Sequence, residues 1–397
     1  MRILFAHPNF PAQFKHVAKA AAANGHEVYF LCQTHFGRSI PGVARLKLKG
    51  KLSGEALRKK NLNIFERTKF LGEQYREGYK DLKLKTWSPD LVISHSGWGC
   101  GLYVKEIWPE TKLISYLEWW FDPLSDFFSY DETNKDIGIN TSHIKKHYER
   151  NFFVSMELSN SDYIISPTHW QREQLPNSFR KQCSVIFDGS NVDSFKNIST
   201  DKNSPPKITY GTRGMDAMRG FPQLIKTIPM IKSEFKGKIK VEIAGDETAY
   251  YGSTPSNHKT WKTWAIEYLK NENCEDIVTW KGFLKPQQYI EWLKSSWCHL
   301  YFTHPFVASW SLIDALAAGI PIIASDVRPV IEFCGNVDGV KLVDHRSTQN
   351  IVTAISKILN EQCYGKREFS RSIEYLSVEN ALKGWGTLIG VDLTTKN

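Results

Sequence analysis

Short apolar runs alternate with helical stretches along this chain, in two rounds. That alternation restricts the fold to mostly parallel sheets covered on both faces. The first round opens with RILFA (2–6). Phe14, Val17, Ala18 and Ala21 then share one helical face, and Asn24-Gly25 ends that helix before VYFLC (28–32). A long charged helix is expected around 55–85. The strands DLVISH (90–95), KLISYLE (112–118), DYIISP (162–167) and CSVIFDG (183–189) follow, with WGCGLYVKEIW (98–108) and THWQREQLP (168–176) between them. A polar linker, NISTDKNSPP (197–206), breaks the pattern. The second round runs through KITYGT (207–212), a helix near 220–232, KVEIAGD (240–246), a helix near 258–271 and IVTWKGF (277–283). A helix near 286–296, CHLYFTH (298–304) and IPIIASD (320–326) complete it. Two α/β domains of this kind leave a cleft at the carboxyl ends of their strands, where open α/β sheets bind ligands.

The chain has 397 residues, too many for one ordinary core, and 41% of them are hydrophobic against 23% charged, which excludes disorder as the default. MRILFAHPNF lacks the long apolar core of a secretory leader, so a cytoplasmic protein is expected. Seven scattered cysteines, never spaced C-x-x-C, read as reduced thiols rather than a disulfide or zinc framework. The Asn140-Thr-Ser and Asn197-Ile-Ser sequons are then chance matches. The net charge of +9 is uneven: residues 1–85 hold seventeen Lys/Arg and six Asp/Glu. Either this basic part meets an anionic partner, such as the inner face of an anionic membrane, or its surface is simply solvated.

No G-x-G-x-x-G, P-loop or G-x-S-x-G motif occurs, which argues against a dinucleotide dehydrogenase, a P-loop enzyme and an α/β-hydrolase. His143 and His147 lie four apart without an intervening HExxH glutamate, so a solvated helix face is expected and no metal site. The aromatic residues form no nucleic-acid platform. Two features remain. In TYGTRGMDAMRGFP (209–222) Arg213 and Arg219 lie six apart across a loop entering a helix. Paired guanidiniums suit a diphosphate, although exposed arginines are the simpler explanation of the spacing alone. In HPFVASWSLIDALAAGIPIIASD (304–326) one carboxylate, Asp314, interrupts an apolar run. Ser311-Leu-Ile-Asp314 fits the S-x-x-[DE] capping pattern, so on pattern alone Asp314 reads as a first-turn cap. The helix start also offers free amides to an anion.

LIDALAAGIPIIASD resembles the signature of the retaining glycosyltransferases of family 4, which have the GT-B fold. The resemblance runs nearly end to end. HPNFPAQFKHVAKAAAANGHEV is similar to the family's first loop and helix, and DLVISH to its fourth strand with a terminal histidine. SPTHWQREQLP and VIFDGSNVDSF are similar to the segment before the linker. GTRGMDAMRGF resembles the phosphate clamp, and VEIAGD and VTWKGFL the strands lining the nucleotide pocket. The resemblance implies two Rossmann-like α/β/α domains facing each other across a deep cleft. An acceptor-binding domain would span 1–196 and a nucleotide-sugar-binding domain 207–375, with 376–397 packing back on the first.

It also implies site residues. Arg213 and Arg219 take the clamp positions, with arginine in place of the usual lysine at 219. Gly282 and Phe283 fall where the nucleobase packs. Ser309, Trp310 and Ser311 supply amides to the diphosphate, and Asp314 accepts ribose hydroxyls. Ala12 and Gln13 belong to the donor-side first loop, His95 and Glu118 to catalysis, and Trp98 and Trp119 to acceptor stacking, or else to core packing. No metal or other cofactor is expected, since guanidiniums and a helix dipole neutralise the diphosphate. The expected donor is a UDP- or GDP-sugar, and the acceptor a glycan or lipid-linked hydroxyl. No nucleic acid is expected as a partner. Three positions depart from the family: Phe306 replaces its first glutamate, Pro11-Ala12 its glycine pair, and Glu118 its acceptor-side histidine. An epimerase or hydrolase of the same fold, or a non-catalytic nucleotide binder, stays open beside the transferase.

Overall fold

A computed structural model describes residues 1–48, 62–195, 206–307, 309–361 and 369–394. The basic triplet Arg58-Lys59-Lys60, linker residues 197–205, Ala308 and Cys363 lie outside the described residues. The chain divides into two compact units. The first comprises Met1–Ser125, Ile144–Gly189 and Leu376–Asn397, and the second Asp126–His143 and Ser190–Tyr375.

The first unit is built on seven parallel strands: β1 (Arg2–Ala6), β2 (Glu27–Cys32), β3 (Val43–Lys47), β4 (Leu91–His95), β5 (Lys112–Tyr116), β6 (Tyr163–Ser166) and β7 (Cys183–Val185). Their order is β3-β2-β1-β4-β5-β6-β7. The period-two rule of a strand shows in β1. Ile3 and Phe5 pack with Val17 and Ala21 of the helix Lys15–Ala23 and with Trp385 and Ile389 of the helix Val378–Ile389. Leu4 and Ala6 point the other way, toward Tyr75 and Tyr79 of the helix Ile64–Leu84. That helix starts later than the expected 55, because Asn63 and Glu66 form a reciprocal capping box there.

The second unit has six parallel strands: β8 (Lys207–Gly214), β9 (Lys240–Asp246), β10 (Val278–Gly282), β11 (Cys298–Tyr301), β12 (Ile322–Ser325) and β13 (Val340–Val343). Their order is β10-β9-β8-β11-β12-β13. Parallel pairing puts the carboxyl ends of all six on one edge. The expected strand 298–304 stops at Tyr301, and the expected helix 258–271 starts at Trp261, after the Thr260 cap.

Two boundaries differ from the expected domains. The first unit gives way at Gly189–Ser190 rather than at 196. Residues 126–143, expected within the first domain, belong to the second unit. Side-chain contacts hold them there. The Tyr130 ring stacks over His345 at 5.9 Å, the Arg346 guanidinium donates to the Tyr130 carbonyl at 2.6 Å, and Ser253 Oγ donates to the Asp136 carbonyl at 2.6 Å.

Candidate functional site

In the second unit the site grows from the turn after β8. Arg213 is still part of the strand rather than the loop, and its guanidinium lies 4.2 Å from the centre of the Tyr250 ring. Asp216 then caps a short turn, Ala217–Arg219, by accepting the Arg219 amide at 3.1 Å. Gly220 lets the chain enter the helix Phe221–Glu234. Its φ is +65°, and a Cβ there would sit 2.5 Å from Cβ of Phe302. Arg219 is only 8% exposed. Its Nη1 donates to Thr303 Oγ1 at 2.8 Å and to the Val307 carbonyl at 3.2 Å, and Tyr251 and Phe306 flank it. Among the described residues it makes no salt bridge, and so the exposed-arginine alternative fails for Arg219. A buried guanidinium is costly to desolvate, and a negative charge beside it offsets that cost.

Sequence reasoning passed over Asp216, because a short loop carries no signal of burial. Burial pushes its carboxyl up to about 6, against the pull of Arg219 and of the backbone amides of Arg219, Tyr251 and Tyr250.

The helix Trp310–Ala317 corrects the capping pattern. Its cap is Ser309, whose Oγ accepts the Ser311 amide at 3.2 Å, while the Ser309 amide donates to the Tyr301 hydroxyl at 2.8 Å. Two of the three amides expected to meet an anion therefore already have partners within the protein. Asp314 plays no part in the cap. Its Oδ1 accepts the Ser190 hydroxyl at 3.1 Å, and the Tyr289 hydroxyl faces the same carboxyl without a well-formed hydrogen bond. Burial pushes this carboxyl up to about 6, opposed by Ser190 and Tyr289. Gly282 ends β10 on the same sheet edge as Arg213, and Phe283, which follows it, is 85% exposed.

In the first unit His95 ends β4, and His7 and Glu118 follow the neighbouring strands β1 and β5, all at the carboxyl edge. The two imidazoles meet edge to face at 4.8 Å. Burial, with His95 alongside, holds His7 well below the usual imidazole range. His95 Nδ1 donates to the Ser96 carbonyl at 2.9 Å, which turns Nε2 toward Glu118 Oε2 at 3.4 Å. Gln13 donates to Glu118 Oε1 at 3.2 Å, so Gln13, His95 and Glu118 form one cluster. Ala12 adopts φ +47°, a left-handed backbone rare for a residue with a Cβ, at the position where the family resemblance expects glycine.

Trp119 packs against Trp170 at 5.3 Å and Phe121 at 6.0 Å, whereas Trp98 stays 37% exposed. Trp98 is carried by a glycine loop that closes around Glu157, which accepts the amides of Gly97 at 2.6 Å and Gly101 at 2.8 Å. Burial raises Glu157 to about 7, against these amides and His95. Glu157 was also missed. Its signal was a lone acid on the buried face of Val154 and Leu158, at helical spacing.

Among the described residues no three His, Cys, Asp or Glu side chains gather as for a metal, and no helix is long and apolar enough to cross a membrane.

Two parallel-sheet α/β units of this topology are those of the GT-B fold, and comparison with known proteins supplies the family. Residues 24–195 match the glycosyl transferase family 4 group, and residues 193–374 match glycosyl transferases group 1. No curated protein matches the chain in sequence. Solved structures match in fold. Sucrose-phosphate synthase from Thermosynechococcus elongatus has a TM-score of 0.73 at 18% identity, over 98% of each chain. Anabaena HepE in complex with UDP has a TM-score of 0.67 at 10% identity, over 98% of this chain and 100% of that one. The lipopolysaccharide outer core galactosyltransferase WaaB has a TM-score of 0.63 at 16% identity, over 98% and 99%. The chain belongs to the family 4-like glycosyltransferases of GT-B fold.

Proposed function

We propose that this glycosyltransferase is retaining and metal-independent, and moves a sugar from a UDP- or GDP-sugar to a glycan or lipid-linked hydroxyl in polysaccharide or glycoconjugate biosynthesis. The observation that carries the reading is Arg219, a buried guanidinium held by Thr303 and Val307 with no salt bridge among the described residues. HepE, of the same fold, is known in complex with UDP and with UDP-glucose, which supports a nucleotide sugar here. In the reaction the bond from C1 to the diphosphate breaks as the acceptor oxygen bonds C1 on the same face. The acceptor proton passes to a phosphate oxygen. Arg219, with Arg213 beside it, stabilises the charge that grows on the diphosphate. Asp314 takes the ribose hydroxyls, displacing Ser190, and Phe283 offers its exposed ring to the base. His95 and Glu118 contact the sugar or acceptor.

The first unit adds an apolar and basic surface suited to an anionic membrane. Phe152 and Met156 are 60% and 57% exposed, Phe65 packs against Phe152 at 6.3 Å, and Lys145 and Lys146 are exposed on the preceding helix. The protein would then work in the cytoplasm, peripherally at the membrane.

Incubation with UDP-, GDP- and ADP-sugars, with and without glycan acceptors and EDTA, tests the reading. Sugar transfer that needs acceptor and persists in EDTA is expected. Turnover without acceptor would mean an epimerase or hydrolase, binding without turnover a non-catalytic homologue, and loss in EDTA restored by manganese would end the metal-independent mechanism.

A further inference from the structure

Beside Arg219 the second unit builds an aromatic wall. The Phe306 ring lies 5.7 Å from Phe127 and 5.2 Å from Tyr251, centre to centre. The Arg219 guanidinium lies 5.8 Å from Phe306 and 5.5 Å from Tyr251. Phe127 comes from residues 126–143 and is buried. Its carbonyl accepts His304 Nε2–H at 2.7 Å, which fastens the wall from behind. Phe306 and Tyr251 are half-buried, unlike Phe127.

Two polar groups beside this wall, Thr303 Oγ1 and the Val307 carbonyl, are already engaged. Thr303 Oγ1 accepts from Arg219 and donates to the His304 carbonyl at 2.9 Å, and the Val307 carbonyl accepts from Arg219. The buried Asp216 carboxyl is turned to Arg219 and the backbone amides of Tyr250 and Tyr251, Asp126 and Asp131 act on His304 through space, and none of the three is among the wall's ring contacts. The Tyr251 hydroxyl is the one polar atom the three rings carry. A sugar hydroxyl pressed against such a surface loses water and gains no acceptor, whereas a C–H or methyl group fits.

Taking the donor site proposed above as given, we infer that the transferred sugar is a deoxyhexose, with the carbon that lacks its hydroxyl lying against Phe306 and Tyr251. A sugar bonded to a phosphate gripped by Arg219 lies beside the groups that flank Arg219, and the two rings among them are Tyr251 and Phe306. A carboxylate at 306 would have accepted a hydroxyl at the same place, so the replacement changes substrate class while leaving the phosphate clamp intact.

Calorimetry on the full chain tests this without an acceptor. UDP and GDP are titrated first. UDP-glucose is then compared with UDP-4-deoxyglucose and UDP-6-deoxyglucose, and GDP-mannose with GDP-4-deoxymannose and GDP-6-deoxymannose. In the series whose free nucleotide binds, one deoxy donor is expected to bind roughly ten- to a hundredfold more tightly than its hydroxylated parent. Phe306→Leu, which keeps the wall apolar, preserves that ratio, and Phe306→Glu erases or reverses it. Each ratio is taken within one variant, so a general loss of affinity cancels. Parents that bind as tightly as every deoxy analogue, or a ratio unmoved by Phe306→Glu, overturn the inference. Failure of both free nucleotides to bind overturns the donor-site reading itself, and the inference with it.

Discussion

Asp314→Asn separates folding from binding at one atom. The carboxyl is buried beside Ser190 and Tyr289, with its pKa moved from 3.8 up to about 6. A raised acid pKa means that the folded state holds the proton more tightly than the unfolded state. Stability therefore falls as pH rises from about 4 to about 6, and the loss is complete above that window. Two pKa units correspond to about 3 kcal/mol at neutral pH, a ceiling that burial of the new amide N–H groups lowers. Asparagine keeps an oxygen for Ser190 and leaves the Ser309 cap untouched. The variant should then melt several degrees above the parent at pH 7.5 and near it at pH 4.5. Its affinity for the nucleotide should fall roughly ten- to a hundredfold, since a neutral amide replaces a charged acceptor of the ribose hydroxyls. Thermal melts at the two pH values and calorimetric titration with UDP and GDP read both effects. A variant destabilised at pH 7.5 would make Asp314 a structural anchor. Unchanged nucleotide affinity would refute the ribose contact.

Arg219→Lys keeps the charge but loses the guanidinium donors beyond the Nη1 that Thr303 and Val307 hold, so kcat should drop roughly ten- to a hundredfold with Arg219→Ala lower still; equal rates for parent and lysine variant would remove the clamp role. Ala12→Gly relaxes the φ of +47° at the expense of a more flexible unfolded chain and should change stability by between zero and about +1 kcal/mol. Ala12→Val should lose about 1–3 kcal/mol in the same melts, and a valine variant as stable as the parent would contradict the strained backbone. Flotation with anionic liposomes at low salt should carry the protein upward, and Phe152→Ser with Lys145→Glu and Lys146→Glu should leave it in the soluble fraction; a parent that stays soluble leaves only a soluble acceptor.

Parallel strands buried on both faces read as continuous apolar runs, and that is why LVIS, KLIS and IIAS could be placed from sequence. The two strands that could not be placed, VARLK and VKLV, are β3 and β13, each at the edge of its sheet and only partly buried along its length. An edge strand has one neighbour and mixed surroundings, so its pattern carries little signal. Residues 126–143 were misassigned for another reason. DFFSYDETNKDIGINTSH has no period of its own, and its place in the second unit rests on partners far along the chain, such as His345, Arg346 and Ser253.

The site divides in the same way. Arg213 and Arg219 could be proposed from sequence because paired guanidiniums suit an anion at any depth, yet only the fold shows that one is buried and the other exposed. For carboxyls depth is the whole distinction. Asp216, Asp314 and Glu157 are each pushed toward neutrality by burial, and no local pattern of polar and apolar residues reports that. The S-x-x-D pattern at 311–314 misleads because two serines compete for one role. Tyr301, at the end of β11, receives the Ser309 amide and so sets the first residue of the helix. Ser309 becomes the cap, and Asp314, a turn further on, is left facing Ser190 and Tyr289. A contact eight residues back in sequence thus sets which side chain caps the helix and leaves the acid to face Ser190 and Tyr289 instead.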